Sequence, residues 1–67
     1  MSPKRLSRVI QTLREAKGLT QRDLATKAKV TAGYVAQLEM GVRKNPSLDV
    51  LRRLAKALGV PVTELLG

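Results

Sequence analysis

The sequence repeatedly places a helix-capping residue before apolar residues that recur at steps of three and four. Ser2, Thr20, Thr31 and Ser47 are the capping residues, and glycines follow three of the four segments at positions 18, 41 and 59. A capping hydroxyl favours the start of a helix, and a glycine favours its end. No segment alternates apolar and polar residues between turn signals, as a strand would. The pattern therefore predicts an all-α chain of five short helices.

The expected helices differ in how clearly they are marked. The first begins at Pro3 and ends by Gly18, the second covers roughly 20–28, the third covers 31–39, and the last begins at Pro61. Asp23 can complete a capping box with Thr20. The fourth helix has the longest apolar stripe, formed by Leu48, Leu51, Leu54, Ala55 and Leu58.

Composition and charge limit the classes of function. The 67 residues include 13 Lys and Arg against 5 Asp and Glu, a formal charge of +8, with no Cys and no His. Disulfides, thiolate or imidazole metal sites and catalytic dyads using these residues are excluded. The sequence has no paired carboxylates and no phosphate-cradling loop that would indicate an enzyme. No apolar run is long enough for a signal peptide or membrane span, so we expect a cytoplasmic protein with a polyanionic partner.

The second and third helices are spaced as in a helix-turn-helix. In that motif two helices cross closely, so a small residue is needed at their contact. Ala25 can take that position, with Val30 in the turn and Val35 packed beneath. The outer face of the second helix of the motif would then enter the major groove of DNA.

These residues carry a resemblance to a known family. Residues 20–25, Val30, Thr31, Val35, Leu38, Glu39 and Gly41 resemble the helix-turn-helix of the lambdoid phage repressor and Cro superfamily, the XRE family. The resemblance continues through 45–48 and 54–60 to 64–66. It implies a compact five-helix, lambda-repressor-like fold with the motif at about residues 20–40. Residues 1–67 would then form a single DNA-binding domain.

The resemblance also implies roles for individual residues. Gln21 matches a glutamine that bonds a phosphate and braces a base-contacting side chain, and Arg43 and Lys44 match a phosphate-gripping loop. Arg14 and Glu39 match an ion pair between helices. The expected DNA-binding residues are Gln21, Arg22, Thr31, Ala32, Gly33, Tyr34, Gln37, Arg43 and Lys44.

Two departures from the family pattern affect the expected mechanism. Lys29 occupies the turn position where relatives usually have glycine, so a left-handed backbone there is strained or the turn adjusts. Ala32 and Gly33 stand where relatives often carry base-reading glutamine or serine. Direct readout then depends on Gln37, which can pair with an adenine edge, and on methyl contacts to thymine. The remaining selectivity would come from DNA shape.

Simpler interpretations stay open for several residues. Gln37 and the 43–44 loop could be solvated, Tyr34 could be a partial core filler, and Gly33 could be a neutral residue near a helix start. The functional alternative for Gly33 is that it allows the helix backbone to approach DNA closely. We interpret Arg52, Arg53 and Lys56 as groups for solubility or long-range attraction.

The functional expectation is a sequence-specific regulator of transcription that binds double-stranded DNA. We expect a repressor that binds a palindromic operator as a homodimer, with half-sites roughly 34 Å apart. The alternative is an antitoxin-like module that binds a toxin protein. No metal, cofactor or small-molecule ligand is expected. Met1 and an end just after the last helix favour a complete chain, with the N-terminal domain of a longer repressor as the alternative.

Overall fold

The structure, a computed structural model, describes residues 3–43 and 46–66, with side chains from residue 5 onward. The described residues form five helices. The helices are α1 (Pro3–Ala16), α2 (Gln21–Ala28), α3 (Ala32–Glu39), α4 (Leu48–Leu58) and α5 (Thr63–Leu66). The all-α prediction is confirmed. The fifth helix begins two residues later than predicted, and the expected cap at Ser2 lies outside the described residues. No helix in the described ranges is both long and apolar enough to cross a membrane.

The helix starts are fixed by the caps that the sequence predicts. The Thr20 hydroxyl accepts a hydrogen bond from the Asp23 N–H at 3.0 Å, and the Asp23 carboxylate accepts one from the Thr20 N–H at 2.9 Å. The backbone hydrogen bond from Thr20, aided by its hydroxyl, lowers the pKa of the Asp23 carboxyl. Thr31 and Ser47 cap α3 and α4 by accepting from the N–H groups of Tyr34 and Val50. Each cap satisfies an N–H that the helix itself leaves unbonded.

The core is built from aliphatic side chains of all five helices. Helix α2 packs against both α3 and α4, while α1 packs against α3 and α5. The buried apolar residues in the described ranges are Leu6, Ile10, Leu24, Ala25, Ala28, Val35, Leu38, Leu51, Leu54, Ala55, Leu58 and Leu65. Ala25 and Ala28 are small, which lets α2 lie close to both of its neighbours.

The predicted apolar stripe of α4 is wrong at its first residue. Leu48 is 49% exposed, so the buried stripe of α4 begins at Leu51. Leu48 is the first residue of its helix, adjoining the loop, and its side chain extends beyond the packed core. Periodicity places Leu48 on the same face as the buried residues of α4. Whether that face is covered at the start of the helix depends on the elements that pack against it.

A nearly buried ion pair joins α1 to the end of α3. The Arg14 Nε atom donates to Glu39 Oε2 at 2.6 Å, and Arg14 Nη2 donates to Glu39 Oε1 at 3.0 Å. The Arg14 and Glu39 side chains are only 12% and 5% exposed. Arg14 Nη1 also donates to the Leu19 carbonyl at 2.8 Å, which ties the loop before α2 to the same guanidinium. The hydrogen bond to Glu39 raises the pKa of Arg14 despite the opposing cost of burial.

The turn between α2 and α3 has a left-handed residue at its centre. Lys29 has φ 59° and ψ 44°, and it is the one non-glycine residue with positive φ in the described ranges. The Val30 N–H donates to the Ala25 carbonyl at 2.9 Å, which closes the end of α2. The turn therefore keeps its left-handed geometry although a lysine occupies it.

Arg53 of α4 supports this turn, which corrects the interpretation of Arg53 as a solvated charge. Its Nη1 atom donates to the Lys29 carbonyl at 3.3 Å, and its Nε atom lies 3.4 Å from an Asp49 carboxylate oxygen. Helical periodicity could not predict this role of Arg53, because the acceptor is a backbone carbonyl 24 residues away.

Replacing Lys29 by glycine should stabilise the protein, because glycine adopts the left-handed conformation without a Cβ clash. The expected gain is about 1 kcal/mol in the free energy of unfolding, measured by urea denaturation. Lys27→Gly is the matched control, since Lys27 is exposed in regular helix, and it should lose about 1 kcal/mol. A loss of stability in Lys29→Gly would show that the lysine side chain contributes more than the strain costs.

Removing one partner of the buried ion pair should destabilise the fold more than replacing both. Glu39→Leu strands a nearly buried guanidinium and should cost about 3 kcal/mol in urea denaturation. Adding Arg14→Met removes that stranded charge and should recover much of the loss. Glu15→Leu is the control, because Glu15 is 61% exposed and 4.0 Å from Arg14, so its effect should be small. Strictly additive losses in the double variant would contradict this account.

Candidate nucleic-acid interface

The outward side of α3 carries the residues that the sequence assigns to DNA. Val35 and Leu38 are buried, whereas Gly33 and Gln37 are exposed. Gly33 and Gln37 are four residues apart and so lie one above the other on the same helix face. Thr31, the cap of α3, is exposed at its start, and Ala32 is half-buried beside it. The helix thus presents one polar, uncrowded side to solvent.

Gly33 leaves the backbone of α3 accessible on that side. Its φ is not in the left-handed region, and a Cβ added there would meet only the Thr31 hydroxyl, at 4.0 Å. The fold therefore does not require glycine here, although glycine in a helix costs about 1 kcal/mol relative to alanine. The lack of a side chain is compatible with close approach of the backbone to a ligand.

Gln21 is held at the start of α2 by the same carboxylate that binds Arg14. Its Nε2 atom donates to Glu39 Oε1 at 3.1 Å, and the residue is half-buried. Arg22, the next residue, is exposed. The first N–H groups of a helix and its dipole favour an anion at this end. The start of α2 is therefore a suitable position for a phosphate contact, and Glu39 fixes it relative to α3.

Gln37, Arg43 and Tyr34 form a connected group along α3 and the loop that follows it. Arg43 Nε donates to Gln37 Oε1 at 2.8 Å, and the guanidinium carbon of Arg43 lies 5.1 Å from the centre of the Tyr34 ring. That distance allows a cation–π interaction. Tyr34 is half-buried, so it serves both as packing and as support for an exposed cation. Sequence spacing did not indicate this group, because the loop after α3 has no fixed periodicity.

The remaining member of the predicted site cannot be placed. Lys44 lies outside the described residues, as does Asn45 of the matching family pattern. The other predicted site residues fall into two groups: the start of α2 with Gln21 and Arg22, and α3 with its following loop.

A second cationic region was missed by the sequence analysis. Lys27, Lys29, Arg53, Lys56 and Ala57 line an open cavity of about 370 Å³ between the C-terminal half of α2 and α4. No residue of α3 lines this cavity, so it is distinct from the outward side of α3. None of its lysines takes part in an ion pair within the described ranges. Only the packing of α2 on α4 brings these charges together, so no local pattern could have revealed them.

Comparisons with curated proteins identify several regulators. The chain is 41% identical over 58 residues to the immunity repressor protein of Bacillus phage phi105, covering 87% of this chain and 40% of the relative. It is 35% identical over 60 residues to the HTH-type transcriptional regulator SlrR of Bacillus subtilis, covering 90% and 40% of the two chains. The chain thus spans about two fifths of the length of these relatives.

Solved structures and a family comparison agree with this result. The restriction-modification controller protein C.AhdI of Aeromonas hydrophila superposes with a TM-score of 0.89 at 35% identity, covering 94% of both chains. The clp gene regulator ClgR of C. glutamicum has a TM-score of 0.85 at 33% identity, covering 96% of this chain and 82% of its own. The helix-turn-helix family model matches residues 10–65. The chain therefore belongs to the XRE-type helix-turn-helix family of DNA-binding transcriptional regulators.

Proposed function

We propose that the protein is a sequence-specific repressor of transcription that acts by occupying operator DNA in the cytoplasm. The observation that carries this proposal is the outward side of α3, where Gly33 and Gln37 are exposed beside Arg43. Such a helix fits the major groove, whose base edges carry the sequence information. The charge of +8 supplies the sequence-independent attraction to phosphates. The immunity repressor among the relatives supports the repressing sign.

We also propose that two copies bind a roughly palindromic operator. A two-fold dimer places its two recognition helices about one helical turn of DNA, or ~34 Å, apart. Met40, Val42 and Leu48 are exposed apolar residues in and beside the connection from α3 to α4. Apolar side chains next to the recognition helix provide surface that a second copy could cover.

Selection from a random duplex library at about 150 mM salt tests the proposal, because non-specific affinity is already weakened there. The expected result is an enriched motif with two-fold symmetry and half-sites about 10 base pairs apart. Salt-sensitive binding to every duplex, without enrichment, would contradict sequence-specific regulation.

The second candidate function is binding of an acidic protein partner, as an antitoxin would do. The cationic cavity between α2 and α4 favours it, because its charges belong to α2, the turn after it and α4 and not to the outward side of α3. Failure of the library selection would make this candidate the better explanation of the charge.

Arg22 should contribute one phosphate contact, because it is exposed at the start of α2. Arg22→Ala should weaken binding to operator and random duplexes alike and reduce the slope of log affinity against log salt by about 0.9. The slope is measured by fluorescence titration at several salt concentrations. Lys56→Ala is the matched control, since it removes one exposed positive charge from α4. An unchanged slope in Arg22→Ala, or an equal reduction in both variants, would exclude the proposed contact.

A further inference from the structure

The side-chain amide of Gln37 is already engaged before any ligand binds. Its Oε1 atom accepts the 2.8 Å hydrogen bond from Arg43 Nε. A guanidinium has donors only, so this bond decides which end of the amide faces Arg43. The Nε2 group, with its two N–H donors, is then the end of Gln37 that remains available to a base.

The position of Arg43 is set by more than this one bond. The N–H groups of Val42 and Arg43 both donate to the Gln37 carbonyl, at 3.0 and 3.3 Å, which folds the loop back onto the end of α3. The guanidinium also lies over the Tyr34 ring. Because Gln37 and Arg43 are joined through both backbone and side chain, less side-chain freedom is lost when the pair contacts a base.

The pair presents donors and a positive charge. Gln37 Nε2 and the two Nη atoms of Arg43 supply N–H groups, while Oε1 keeps one lone pair next to the guanidinium. In the major groove guanine shows two acceptors, N7 and O6, whereas adenine shows the acceptor N7 and the donor N6. An adenine amino group that approached Oε1 would meet the positive charge bonded to that oxygen. The two acceptors of guanine match the donors of the Gln37–Arg43 pair, whereas the acceptor and donor of adenine do not.

We propose that Gln37 and Arg43 act as one unit that reads guanine, with Tyr34 as the positioning residue for Arg43. The proposal rests on the DNA-binding function proposed above and deepens it. It replaces the adenine contact that the sequence alone suggested for Gln37, because that contact would bring the adenine amino group to an amide oxygen already bonded to the positive charge of Arg43. It also gives Arg43 a base-reading role in place of the phosphate contact that the family pattern suggests.

The test begins with the motif selected by the unaltered protein and compares it with motifs selected by Gln37→Ala and Arg43→Ala. Both variants should lose preference at the same position, and that position should be guanine. Fluorescence titration should show that guanine→adenine there weakens binding of the unaltered protein by roughly 5- to 150-fold. In Arg43→Ala the same base change should have an effect of about threefold or less, because the remaining amide can pair with adenine.

Control variants separate base reading from general effects on affinity or folding. Arg52→Ala removes an exposed arginine from α4 and should keep the full guanine preference. Tyr34→Phe keeps the ring and should keep the preference, whereas Tyr34→Leu should reduce it. A purely structural role for Tyr34 would lower affinity for all bases equally and would overturn its positioning role.

The outcomes distinguish this inference from the function on which it rests. An enriched motif with adenine at the affected position, or a guanine preference that Arg43→Ala leaves intact, would overturn the inference while keeping sequence-specific binding. Absence of any enriched motif would overturn both. A duplex carrying 7-deazaguanine, which lacks the N7 acceptor, should bind the unaltered protein more weakly, and unchanged binding would overturn the inference.

Discussion

The carboxylate of Glu39 holds together the parts of the molecule that must keep a fixed geometry. It accepts hydrogen bonds from Arg14 of α1 and from Gln21 at the start of α2, and it lies at the end of α3. The Ser7 hydroxyl donates to the backbone carbonyl of the same residue. Burying this charge is costly, so it is tolerated only because several donors surround it. Through these bonds Glu39 ties the start of α2 to the end of α3, and hence the two halves of the candidate interface to each other.

Around that interaction, a small aliphatic core keeps the helices in place. The chain has one Tyr, no Phe and no Trp, so the core consists of Leu, Ile, Val and Ala side chains. Helices of eight residues, such as α2 and α3, are too short to be stable alone. Their caps satisfy the terminal N–H groups, and the position of α2 between α3 and α4 lets one short helix join most of the core. A compact scaffold thereby presents α3 at the surface without a large domain.

The sequence predicts the local features of this fold and only part of its interface. The caps Thr20, Thr31 and Ser47 each bond an N–H group three residues further along the chain, so the local sequence is sufficient to predict them. The roles of Leu48 and Arg53 depend on what packs beside them, which periodicity cannot show. The bond between Gln37 and Arg43 depends on a loop folding back over α3. The family resemblance indicated which residues to consider, but the hydrogen bonds among them decide what each atom can offer a ligand.

We expect DNA to bind the outward side of α3 and not the cationic cavity between α2 and α4. Amide chemical shifts of the ¹⁵N-labelled protein, recorded during titration with the selected duplex, test this directly. The largest shifts are expected at 31–37 and at 21–22, with small shifts at Arg52 and Lys56 of α4. The largest shifts at Lys27, Lys29, Arg53 and Lys56, with 31–37 unmoved, would contradict it and would place the DNA on the cavity.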